Sequence, residues 1–84
     1  MDHFVVINSW ANEYECGVTI LGVAHSLEEA KSIFDSCVGD EKTYAEEHGY
    51  FIYDDSDVDF DAGEEGYYAK AHTRVYIERV GGLI

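Results

Sequence analysis

Ser26-Leu-Glu-Glu-Ala-Lys-Ser-Ile-Phe-Asp-Ser-Cys-Val-Gly-Asp-Glu-Lys-Thr-Tyr-Ala-Glu-Glu-His48 decides the fold. Ser26 can accept a hydrogen bond from the first turn of a helix, and Glu29, three residues on, can reach back to the Ser26 amide. Glu28 and Glu29 sit where the positive end of a helix dipole favours acids. Leu27, Ala30, Ile33, Phe34, Cys37 and Val38 recur at three- and four-residue spacing, so one stripe is apolar. Gly49 is a natural terminator, with His48 in the last turn. The pattern predicts one helix over 27–48. Tyr44 and Ala45 return near the apolar stripe and favour continuation, while Glu41 falls in its middle and Gly39 costs helix stability, which makes Gly39 and Asp40 the place where the helix would kink or break.

The flanking segments read as strands. Phe4 to Ile7 is a continuous apolar, β-branched run, expected to be a central strand buried on both faces. Ala11 to Gly17 reads as a turn. Val18 to Ala24 reads as a second strand, with Gly22 as a bulge or a point of close backbone approach. The short link makes these two strands a hairpin. Tyr50 to Tyr53 reads as a third strand. Thr73 to Val80 alternates, with Arg74, Tyr76 and Glu78 on one face and Thr73, Val75, Ile77 and Arg79 on the other. Tyr67 to Ala71 is ambiguous, and Gly81 to Ile84 reads as a tail. The fold class is therefore α+β: one amphipathic helix on a small, mostly antiparallel sheet of about four strands, in the order β-β-α-β-β, as a single domain over 1–84.

Charge is the strongest functional signal. The 84 residues carry 18 acids and 5 bases, a net charge of −13. Residues 40 to 65 hold Asp40, Glu41, Glu46, Glu47, Asp54, Asp55, Asp57, Asp59, Asp61, Glu64 and Glu65 against a single base, Lys42. Such a balance repels nucleic acid and anionic lipid and favours a cationic partner. Hydrophobic residues make up 46% of the chain, enough for an ordered core. There is no apolar run of membrane-spanning length and no secretory leader pattern, so a cytoplasmic protein with reduced thiols is expected. Cys16 and Cys37 lack metal-type spacing, and Cys37 fits the helix core.

Three readings of the acidic segment compete. As a metal loop, Asp57-Val-Asp-Phe-Asp61 has alternate acids. An EF-hand, however, needs glycine at loop position six and glutamate at twelve, and neither the Asp55 nor the Asp57 frame supplies them. As an acidic strand, Asp57, Asp59 and Asp61 alternate with Val58 and Phe60. Acids two apart on one face lie ~6.8 Å from each other and can imitate a row of phosphates. The surface would then comprise Asp54, Asp55, Asp57, Asp59, Asp61, Glu64 and Glu65, with Glu46 and Glu47 as a second edge. Tyr50, Tyr53, Tyr67 and Tyr68 would be its anchors. As a solvated loop, the same acids serve solubility alone.

In size, acidity and lack of a catalytic signature the chain resembles the small phage and mobile-element proteins that block host defence enzymes, anti-CRISPR proteins among them. That resemblance rests on overall character and on the Asp54–Glu65 run. It implies a basic, nucleic-acid-binding protein or complex as partner and carries over no site residue.

No enzyme is expected. His3, His25, His48 and His72 show no ligand spacing to one another or to a cysteine. A Cys37–His pair would have to leave the helix core. Gly63 and Gly66 sit among acids that repel phosphate. No cofactor and no metal site are expected, and the free edges of a small sheet leave room for a homodimer.

Overall fold

Ser26 caps the helix as its sequence requires. In the computed structural model, which describes residues 2–66 and 71–81, its Oγ accepts the Glu29 amide at 3.2 Å. The Glu29 carboxylate returns to the His25 amide at 3.3 Å, one residue earlier than a capping box requires. The helix, α1, runs Leu27–Glu47 without a break. Gly39 does not interrupt it, because Gly39 lies on the exposed side and the ladder continues past it. Gly49 then turns the chain with φ +66.

Five antiparallel strands form one sheet: β1 (His3–Ala11), β2 (Cys16–Ala24), β3 (Phe51–Asp55), β4 (Asp59–Gly63) and β5 (His72–Val80). Their order across the sheet is β2-β1-β5-β4-β3. The α+β architecture with one helix on an antiparallel sheet is thus the one expected. The acidic segment itself supplies a fifth strand, β4, between the two anticipated after the helix. The third strand also begins and ends later than Tyr50–Tyr53. The ambiguous segment lies outside the described residues, apart from Ala71, as do the tail residues after Gly81.

The helix covers one face. Ala30, Phe34, Val38 and Ala45 pack on Val6, Ala24, Phe60, Ala62 and Val75, all buried. On β5 the expected alternation holds: Thr73 and Val75 are buried, while Arg74 and Tyr76 are half-exposed on the other side. β1 is flanked by β2 and β5, but it is not buried on both faces, since the sheet has one helix and no second layer. Val6 and Asn8 are its buried residues, and Val5 and Ile7 stay partly open. The β1–β2 register slips between Val6 and Ile7, leaving Leu21 as an extra residue beside Gly22. A Cβ on Gly22 would lie 3.0 Å from Ile33 Cδ1, so the bulge is also where the helix approaches the sheet. Cys16 and Cys37 are free thiols. Among the described residues no helix is long and apolar enough to cross a membrane.

One polar chain crosses the helix–sheet interface. Asn8 Nδ2 donates to Arg74 O at 2.9 Å and to Thr73 Oγ1 at 3.4 Å. Thr73 Oγ1 in turn donates to Glu41 Oε2 at 2.7 Å. Glu41 therefore does not break the helix from within the apolar stripe. Its carboxylate meets the one buried hydroxyl of β5.

Candidate functional site

The sequence of the acidic segment makes a hairpin. Phe51 and Ile52 lead β3, and Phe60 and Ala62 give β4 a buried face against α1. Between the strands, the Ser56 hydroxyl accepts the Val58 and Asp59 amides at 3.3 and 3.1 Å, closing the turn. Asp54 and Asp55 stand in β3, Asp57 in the turn, and Asp59 and Asp61 in β4.

The hairpin sorts the five aspartates into two kinds. Asp55, Asp57 and Asp59 each have a cation within the molecule. Lys42 Nζ lies 3.1 Å from Asp55 Oδ1, and Lys31 Nζ lies 3.0 Å from Asp57 Oδ2. Both lysines come from α1, so these acids tie the hairpin to the helix. Arg74 grips Asp59 with both arms, Nε to Oδ1 at 3.1 Å and Nη2 to Oδ2 at 2.7 Å. The same guanidinium lies 4.0 Å above the Tyr76 ring. Asp57 is held below the usual carboxylate range, chiefly by its hydrogen bond with Lys31 and then by that charge.

Asp54 and Asp61 differ. They stand directly opposite each other across β3 and β4. Asp61 is also opposite Arg74 across β4 and β5. That arginine turns its Nε and Nη2 to Asp59. Asp61 Oδ1 is buried and has no hydrogen-bond partner among the described residues. Like charges directly opposite in a sheet are destabilising, and a buried carboxylate oxygen without a donor costs more.

The glutamates form a separate group. Phe51 is paired with Gly63, so Glu64 and Glu65 leave β4 beside the start of β3, at the end of the hairpin remote from the aspartate turn. Glu46 and Glu47 close α1 and join the same end through the Tyr50 amide bond to Ala45 O at 2.9 Å. The last helical turn contains no base, so these two acids face the negative end of the helix dipole. Of the proposed tyrosine anchors, Tyr53 is exposed and donates to Glu64 O at 2.9 Å. Tyr50 packs edge-on to Tyr44, and burial, followed by the Tyr44 hydroxyl, pushes its pKa up to about 12. Tyr67 and Tyr68 lie outside the described residues.

Three of the histidines make contacts within the chain. His3 and His25 meet edge to face at 5.2 Å, and His48 stacks on Tyr44 at 4.0 Å with Nδ1 2.9 Å from Tyr44 O. Among the described residues no group of three or more His, Cys, Asp or Glu is arranged to hold a metal ion. Sequence reasoning found the acids and missed their cations, because Lys31, Lys42 and Arg74 reach them through tertiary contact. It also missed the Asn8–Thr73–Glu41 chain, whose one signal was a glutamate on an apolar stripe. Compared with protein-family models, with curated proteins and with solved structures, the chain matches none.

Proposed function

We propose that the protein is a non-enzymatic, acidic interaction module that occupies a basic, nucleic-acid-binding surface of a partner protein. The observation that carries this reading is the Asp54–Asp61 pair: two carboxylates opposed on neighbouring strands, one with a buried oxygen that no described residue satisfies. A sequence under selection for stability or solubility alone has no reason to keep charge there, and local rules are broken most often where function asks for it. Glu46 and Glu47 at the unfavoured end of α1 follow the same logic. Both groups are held on ordered strand and helix ends, so a partner meets a pre-formed array of negative charge.

The anti-CRISPR-like or nucleic-acid-mimicking inhibitor is the specific form of this proposal. Its surface centres on Asp54 and Asp61, with Glu46, Glu47, Glu64 and Glu65 as a second patch. Asp55, Asp57 and Asp59 position the hairpin through Lys42, Lys31 and Arg74. The test is retention of lysate proteins on the immobilised chain, eluted by salt and challenged with DNA or RNA. Nucleic-acid-binding proteins should elute in a narrow salt window and be displaced by competitor. The Asp54→Asn/Asp61→Asn variant should lose about tenfold or more in affinity with a shallower salt dependence. Retention that ignores competitor, or a double variant that binds like the parent, overturns the reading.

A further inference from the structure

Beyond Tyr44, where the helix leaves the ends of β1 and β5, lies an open cleft of about 310 Å³, lined by Asn8, Trp10, Glu41, Tyr44, His72 and Thr73 among others. That size is at the lower limit for small-molecule sites. Its inner wall is the polar chain already described, and the direction of each hydrogen bond there fixes what is left over. Asn8 uses its Nδ2 twice, and its Oδ1 has no donor among the described residues. Thr73 gives its one proton to Glu41 Oε2, so Glu41 Oε1 has no donor among the described residues. Asn8 is only 9% exposed. Asn8 lines the cleft, so an amide oxygen without a protein donor there meets only solvent, which a ligand rich in N–H groups can replace.

The rest of the cleft fits the same ligand. Trp10 and Tyr44 bring two aromatic rings. The indole is held against β2 at Gly17, where an added Cβ would come within 2.6 Å of Trp10 Cζ2. A carboxylate and an amide oxygen beside aromatic faces suit a flat cation, which can stack while it donates in a fork. A net charge of −13 concentrates cations around the whole molecule.

We propose that this cleft binds a guanidinium group, with Glu41 Oε1 and Asn8 Oδ1 as acceptors and Trp10 as the stacking face. The site does not use the Asp54–Glu65 acids and does not depend on their reading. The group can come from a free guanidino compound or from an arginine side chain displayed by another protein.

Trp10 is the only tryptophan, so its emission reports on the cleft directly. The full chain is titrated with N-acetyl-arginine amide and, separately, with its neutral isostere N-acetyl-citrulline amide at constant ionic strength. The arginine probe should change Trp10 emission saturably, and the citrulline probe should bind about tenfold more weakly or worse. Glu41→Gln should weaken the arginine probe by a similar factor with the circular dichroism unchanged. If that variant does not fold, Tyr44→Ala, which removes an exposed ring from the helix surface, should weaken it severalfold. Asp54→Asn/Asp61→Asn should leave the titration unaltered. An arginine-containing tetrapeptide that binds tighter than the amide indicates a protein-borne arginine, and equal binding a free compound. Absence of a saturable change, equal binding of the citrulline probe, or loss of binding in the Asp54→Asn/Asp61→Asn variant with Glu41→Gln unaffected overturns the proposal.

Discussion

Lys31 and Asp57 are the clearest case of a single residue's charge serving the fold. Asp57 is strongly solvated, so its pair with Lys31 contributes modestly, but its sign is definite. The folded pKa lies below the ordinary value of 3.8. Above 3.8 the carboxylate is ionised in both states and the contribution is complete. As pH falls through the lowered value it is lost. Carboxyl-detected NMR titration should therefore find Asp57 titrating below 3.8, and Lys31→Met should move it back toward that value. An unmoved Asp57 would mean that the lysine contact does not persist in solution. None of these pairings is visible in the sequence, where Lys31 and Asp57 are separated by most of the helix and all of β3. Glu41 was visible as an anomaly and invited the opposite inference, a broken helix. Only the position of Thr73 beneath it shows why the chain tolerates an acid there.

At the scale of elements, the helix was legible because its signals are local. The Ser26 cap, the spacing of Ala30, Phe34 and Val38 and the Gly49 stop all act within one turn. Gly39 is the weak point of that element: it lies exposed in mid-helix, and nothing stands within 4 Å of the place a Cβ would occupy. Gly39→Ala should stabilise the protein by roughly 1 kcal/mol and Ser26→Ala should destabilise it by about 1 kcal/mol, both read from urea denaturation midpoints. A Gly39→Ala variant no more stable than the parent would point to a strained backbone at that position. β4 was only half legible, as one of three competing readings of the acidic segment, and for the opposite reason. Aspartate disfavours strands, and its strand character comes from pairing with β5 and from Phe60 and Ala62 reaching the core. The acidic alternation around Phe60 showed which residues share a face, but not that a neighbour existed to pair with.

For the whole molecule, a net charge of −13 sets stability against interaction. Salt that screens self-repulsion should raise the thermal midpoint of the chain while weakening binding to the basic partner we propose. Asp54→Asn separates the two effects. It relieves the opposed pair with Asp61 and should add a few tenths of a kcal/mol to stability while reducing affinity for the proposed partner. A variant both less stable and equally tight-binding would refute that division. The sheet order has a further consequence, which concerns how the chain reaches its structure. β5 lies between two hairpins, β1–β2 and β3–β4, that do not otherwise touch within the sheet. His3 is opposite Val80 and Ala11 opposite His72, so the central pairing joins the most distant parts of the described sequence. Each hairpin can close early, but neither can complete the core until β5 arrives. Loop closure on that scale slows folding. The chain should thus behave as two preassembled halves awaiting a keystone, and its slow step should respond to substitutions in β5, such as Val75→Ala, far more than to changes in either turn.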